Sequence, residues 1–429
     1  MNHSSAMKKP KIKKLKNGLR IVTVPSDSPS TTVMVLVGTG SRYEDKSKNG
    51  ISHFLEHMCF KGTSSKTGKE IMRYLDGLGA ETNAFTSYEL TGYYVKSITK
   101  HWKKALRTVS DIYLNSTFPE DEMQREKGVI LGEISMYEDM PMRHIHDLFP
   151  ALVHGDQPAG RTILGPRKNI KAMKRQHFLD YHDKHYVALN TVIVVAGNVD
   201  SKAVVSEVSE LFANIKTTRK KKMQKATIKQ SKPQLLLHNK KTDQTHMILG
   251  YRSTSFRHKD ALTLKLLGAV LGGGMSSRLF EKLREDMGVG YYVRAGNSTQ
   301  SDLGMLQVSC GVDSKRVTEV LTAIQSEMLR IRNELVPEEE LRKTKEYIIG
   351  NTQMGLEGSD ELGYYYAQRE LFDLPTKTPA QFARDINAIS AADIRRVAKK
   401  VIKAQGLNVA MIGPHGKKDE KEFKKAMKI

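Results

Sequence analysis

An internal repeat constrains this chain more than any other feature. Phe118-Pro119-Glu120-Asp121-Glu122-Met123 matches Val336-Pro337-Glu338-Glu339-Glu340-Leu341 at an offset of 218 residues. The match stays in register: Ile130-Leu131-Gly132-Glu133 aligns with Ile348-Ile349-Gly350-Asn351, and Met136 aligns with Met354. Self-similarity at one fixed offset implies a duplicated domain. The 429 residues suffice for two separate cores. At the same offset Glu133 becomes Asn351 and Glu126 becomes Thr344, so whatever chemistry those carboxylates serve belongs to the first copy alone.

Each copy mixes two periods. Residues 31–37 and 91–95 are alternating apolar runs, which read as strands, while Trp102–Leu114 and 316–331 carry the 3.6-residue period of amphipathic helices. The expected class is α+β, an antiparallel sheet covered by helices in each domain. Residues 216–233 are polar and lysine-rich and read as a linker. The expected division is a first domain at 8–215, the linker at 216–233, a second domain at 234–415 and a basic tail at 416–429. Asn2 to Ala6, ahead of Met7, read as an expression remnant.

Residues 53–57 are His53-Phe54-Leu55-Glu56-His57. On a helix, histidines four apart lie on one face, and neutral imidazoles there can hold one Zn²⁺ with positions left open. Glu56 is on the same side, placed to take a proton from a metal-bound water rather than to bind the metal. The order is the reverse of the commoner H-E-x-x-H. Glu133 lies 76 residues beyond His57. Pro119 and the acidic run Glu120 to Glu122 mark a helix start there. Seven residues separate Glu126 from Glu133, which puts both on one face. Glu133 is the expected third metal ligand and Glu126 a partner that orients a histidine. The blander alternative, a helix carrying ordinary polar side chains, loses ground once Glu133 is counted.

The chain resembles the pitrilysin/insulinase-type inverzincin zinc metallopeptidases, most of all the shorter branch with bacterial processing proteases and the mitochondrial processing peptidase. Besides 53–57, the resemblance includes Gly40-Ser41-Arg42-Tyr43-Glu44, Phe60-Lys61-Gly62-Thr63, Thr82-Asn83-Ala84-Phe85-Thr86, Ile163-Leu164-Gly165 and residues 192–198. In the second half it includes Gly272 to Phe280 and Leu283 to Tyr291. It implies a fold of two similar αβ domains and a zinc endopeptidase with one Zn²⁺ per chain, acting on peptides or unfolded segments. Asn83, Ala84 and Phe85 would present substrate along an edge strand, where an extended peptide gains backbone hydrogen bonds. The resemblance also implies that Arg284 and Tyr291 hold the substrate and stabilise the oxyanion. In a clamshell homodimer this pair would serve the partner's zinc. The rival expectation is a non-catalytic structural subunit of a peptidase-like heterodimer.

The net charge of +22 raises the question of nucleic acid. Three segments hold most of the excess. Residues 8–20 carry seven basic side chains and no acidic ones, 216–232 carry eight and none, and 417–428 carry six against three. Charge at ends and a linker suits solubility better than a shaped groove, so no specific nucleic-acid partner is expected. No run of 18 apolar residues exists, so no membrane span is expected. Two cysteines suggest a reducing compartment, and the expected location is the cytoplasm. Residues 62–70 and Gly272-Gly273-Gly274 fail the phosphate-loop template. His182 with His185, and His144 with His146, read as ordinary polar residues.

Overall fold

The computed structural model describes residues 9–219 and 221–427. The suggested remnant Asn2 to Ala6 lies outside the described residues. The chain forms two compact units. Among the described residues, unit 1 comprises 9–134, 162–224 and 353–379, and unit 2 comprises 135–161, 225–352 and 380–427.

The strands of unit 1 are β1 (Lys11–Lys14), β2 (Arg20–Pro25), β3 (Ser30–Val37), β4 (Glu81–Thr86), β5 (Thr91–Ile98) and β6 (Thr191–Gly197). They form one sheet in the order β1-β2-β6-β3-β5-β4. Those of unit 2 are β7 (Gln234–Asn239), β8 (Gln244–Ser253), β9 (Gly290–Thr299), β10 (Gly304–Asp313) and β11 (Asn408–Gly413), in the order β7-β11-β8-β10-β9. The α+β class is as the sequence implies. The sheets are not purely antiparallel, however: β2 pairs β6 in parallel, and β7 pairs β11 in parallel. In each unit a late strand inserts between two early strands that run in opposite directions, so it is parallel to one and antiparallel to the other, the parallel pair being reached by a helical crossover.

Alternation along the central strands explains their two-sided burial. In β3, Val33, Val35 and Val37 join the helix-covered core of unit 1 with Phe54, Leu106 and Ile193. The intervening Thr32 and Met34 face the opposite side. There the helix Ser359–Leu371 packs on β3, β6 and β2. Gly363 lets it approach closely, since a Cβ at that position would stand 3.3 Å from the Ala196 side chain. Unit 2 repeats the plan. Helix Pro141–His154 packs on β11, β8 and β7. Ile145, Phe149 and Val153 form a cluster there with Ile248, Ala410 and Ile412.

These two helices are related by the repeat, for Pro141 and Ser359 stand at the same 218-residue offset. Each follows a long helix, Glu120–Asp139 or Glu338–Met354, and each belongs to the unit built mainly from the other half. The two halves therefore exchange one helix each. This differs from the expected division at 8–215 and 234–415: residues 135–161 belong to unit 2 and 353–379 to unit 1. The physical reason is burial, because each helix has an apolar face that only a sheet of the other half covers. The switch at Gln224/Lys225 falls inside the lysine-rich 216–233 segment, whose described residues form no helix or strand. The basic tail also differs from expectation. Lys417–Ala426 is a helix, and its Phe423 is buried in the core of unit 2.

Candidate metal centre

The helix Ile51–Cys59 carries the paired histidines and is buried along nearly its whole length. Phe54 meets Phe178 edge to face at 4.8 Å, and Ile51, Leu55, Met58 and Cys59 fill the core beside it. Its start is held by Glu44. That buried carboxylate accepts from the Gly50 and Ser52 backbone N–H groups, each at 2.8 Å, and from Asn49 Nδ2 at 2.7 Å. This satisfies donors that a helix end leaves open. Burial is the main influence on Glu44 and raises its pKa to about 7, against these hydrogen bonds. Gly50 has φ of +102°, and a Cβ there would meet the Leu164 carbonyl oxygen at 2.6 Å, so the entry to the helix requires glycine.

Glu133 comes from the helix Glu120–Asp139. His53 Nε2 and His57 Nε2 are 3.3 Å apart. Glu133 Oε2 is 3.5 Å from the first and 3.8 Å from the second. Among the described residues, these three side chains form the one group whose donor atoms lie close enough to share a metal ion. The spacing suits zinc, since ligands about 2.0–2.1 Å from a tetrahedral ion lie about 3.3 Å from one another. The Glu133 Oε2 atom is buried without a hydrogen-bond partner, which a bound cation would supply.

The protonation of the site follows from its neighbours. Burial, then the charge of His57, pushes the His53 pKa down to about 3, so its ring is neutral and able to ligate. Burial alone would lower His57 too, but its hydrogen bond to Glu126 and the surrounding carboxylates raise it. His57 Nδ1 and Glu126 Oε1 are 2.7 Å apart, which fixes the ring so that Nε2 faces the other ligands. Burial works to raise Glu126, yet its bonds to His57 and Lys61 outweigh this and hold it ionised. Lys61 Nζ contacts Glu126 Oε2 at 2.6 Å. Glu56 is 9% exposed, and burial raises its carboxyl pKa against the bond it accepts from Thr86 Oγ1 at 2.6 Å. Burial likewise raises Glu133.

Three further side chains contribute to the site: Thr86, Lys61 and Glu44. Thr86 could have been found from strand alternation, which puts it on the face of Ala84. Lys61 stands four residues after His57, a helical spacing that signals a shared side. The role of Glu44 has no local signal, because it depends on the turn that brings residue 44 back to residues 50–52. Asn83, Ala84 and Phe85 lie on β4, which ends the sheet and has one unpaired edge. Arg284 and Tyr291 lie in unit 2. Arg284 sits in a π-helical turn, its guanidinium 5.1 Å from the Phe280 ring centre. Tyr291 is 62% exposed on β9, the edge strand of its own sheet. At the positions equivalent to Glu133 and Glu126, Asn351 bonds the Tyr347 carbonyl and Thr344 the Glu340 carbonyl, each turned to its own helix. His182 Nε2 bonds the Tyr113 carbonyl and His185 Nδ1 bonds Thr39, ordinary structural roles.

Comparison with known proteins identifies the family. A family model described as insulinase, peptidase family M16, matches residues 20–167, and one described as the M16 inactive domain matches 172–348. An uncharacterized zinc protease of Rickettsia felis is 36% identical over 410 residues, spanning 94% of this chain and 97% of that protein.

The chain belongs to the insulinase family of peptidases.

Another M16 relative, the uncharacterized zinc protease YmxG of Bacillus subtilis, is 34% identical over 402 residues, covering 93% of this chain and 97% of its own. Among solved structures, a Helicobacter pylori protease superposes with a TM-score of 0.88 at 23% identity, covering 95% of this chain and all of that one. That likeness shows the M16 fold. No helix among the described residues is long and apolar enough to cross a membrane.

Proposed function

We propose that this chain is a zinc endopeptidase that hydrolyses peptides or unfolded polypeptide segments. The observation that carries the reading is the meeting of His53, His57 and Glu133 beside a buried Glu56 that is tied to the sheet's edge strand. The relatives named zinc proteases support it. One zinc per chain, held by the two histidines and Glu133, would lower the pKa of a bound water to roughly 7 and polarise the scissile carbonyl.

The protein groups do the rest. Thr86 holds Glu56 Oε2, which leaves Oε1 free to take the water proton and deliver it to the leaving amine. The water oxygen joins the carbonyl carbon as the C–N bond breaks. Glu126 keeps His57 oriented throughout. An extended substrate pairs with β4 along Asn83, Ala84 and Phe85, so recognition reads backbone before sequence. Arg284 and Tyr291 offset charge on the carbonyl oxygen, and in a homodimer each copy's pair serves the other copy. Both cysteines are free and buried, which suits a reducing compartment, and the proposed place of action is the cytoplasm.

The test is cleavage of quenched peptides of about 10 to 30 residues by zinc-loaded protein, with and without chelator and beside Glu56→Gln. Cleavage should stop in both controls while Glu56→Gln retains its zinc. An active Glu56→Gln enzyme refutes the base assignment. No cleavage with one zinc bound per chain points instead to a non-catalytic partner subunit.

A further inference from the structure

The odd-numbered residues of β4 look away from the metal centre. Ala84 packs against the core beside the histidine helix and Thr86 reaches Glu56, so the even-numbered side chains share that face. Phe85 points to the other face, where its ring meets Tyr364 of the helix Ser359–Leu371 edge to face at 5.5 Å. Gly92 of β5 lies directly across from it in register. A Cβ on Gly92 would stand 2.4 Å from the Phe85 ring, so the ring covers bare backbone and is fixed by it. Phe85, Tyr94, Tyr364 and Met34 wall a groove of about 290 Å³, with Asp360 and Glu361 at its rim. All of it lies within unit 1.

The rim charges are already engaged. Asp360 accepts from Lys96 Nζ at 2.8 Å, and Glu361 stands beside Asp360. Both sit in the first turn of their helix, where carboxylates answer the positive end of its dipole. What remains for an incoming group is mainly aromatic surface and a thioether, and the volume suits one large side chain. An acidic side chain would meet two carboxylates and only one ammonium.

We infer that this groove is a side-chain subsite for a strand added to β4, and that it selects an aromatic residue and rejects an acidic one. The inference rests on the edge-strand reading of substrate binding above. Tyr94 and Met34 lie in the row of Asn83 and Phe85 in the next row on that face, and pleating makes the added strand alternate as β4 does, so side chains opposite Asn83 and Phe85 fall on the groove's face while their neighbours face the Glu56 side.

The experiment uses zinc-loaded full-length Glu56→Gln protein and three fluorescein-labelled decapeptides of one polar sequence, differing by a single Phe, Gly or Glu. The Phe peptide should bind about tenfold more tightly than the Gly peptide, the size expected for partial burial of one aromatic side chain, and the Glu peptide least of all. Tyr364→Ala in the same background should reduce the Phe peptide to the Gly level and leave the Gly peptide unchanged. Tyr364→Phe, which keeps the ring, should retain the preference and so exclude misfolding as the cause. Equal binding of Phe and Gly peptides, or equal loss of both with Tyr364→Ala, overturns the subsite. Cleavage by the parent sequence separates the two readings. Turnover with no dependence on Tyr364 keeps the peptidase and removes the groove. Tyr364-dependent binding of the Phe peptide without any turnover keeps the groove and removes the peptidase.

Discussion

Glu126 provides the sharpest test of how this centre would hold a metal. It is 4% exposed and makes two short contacts, 2.7 Å to His57 Nδ1 and 2.6 Å to Lys61 Nζ. Glu126→Gln keeps the side-chain shape and leaves His57 a neutral acceptor, but it removes the charge. A hydrogen bond to a charged group contributes about 1.5–3 kcal/mol, about half of which a neutral acceptor retains. The expected loss of zinc affinity is therefore about tenfold for Gln. For Glu126→Leu, which leaves His57 without an acceptor, it is about a hundredfold. Competition against a chromophoric chelator at constant pH measures both, with circular dichroism as the check on folding. The graded order, parent then Gln then Leu, is the decisive outcome. Equal affinity in all three folded proteins would refute the claim that Glu126 orients a ligand.

Other consequences follow from neighbouring contacts. Thr86→Val removes the bond that opposes burial at Glu56, so the acid limb of kcat/KM against pH should move to higher pH while zinc content stays the same. His185, whose pKa burial and then Lys221 and Lys184 lower from 6.5 to about 3, contributes stability as a neutral ring above pH 6.5. That contribution is lost as pH falls from 6.5 toward 3. His185→Gln should therefore show a smaller drop in melting temperature between pH 7 and pH 5 than the parent does. Gly50→Ala forces a side chain into a left-handed backbone against the Leu164 carbonyl. It should cost about 1–3 kcal/mol in denaturant unfolding.

The sequence exposed the candidate metal centre because its signal is local. Two histidines one helical turn apart and a glutamate on a helix with a marked start need only helical geometry to be read. The duplication was legible for the same kind of reason, since Pro119 and Pro337 begin the same pattern. The edge position of β4 followed from resemblance rather than from its residues, which are unremarkable in composition. The helix exchange was not legible. The apolar face of Pro141–His154 announces that it must be covered, but nothing in it says which sheet covers it. The tail conceals its helix because eight of ten residues in Lys417–Ala426 are charged, and a single buried Phe423 secures it. Lys61, Thr86 and Glu44 lie within longer motifs, yet their roles depend on distances that only the fold creates.

The reciprocal exchange of Pro141–His154 and Ser359–Leu371 also determines how the molecule responds to being cut. A protease that nicks the lysine-rich stretch near residue 224 would sever the backbone without releasing either unit, because each fragment still supplies a helix to both. The halves are dovetailed like joinery, and neither can be expressed alone with its sheet fully clad. A fragment ending at that stretch would leave the apolar back of its own sheet bare while its spare helix had nowhere to go. Co-expression of both pieces should restore what each lacks alone. Gene duplication in such a fold thus yields two parts that have become mutually indispensable.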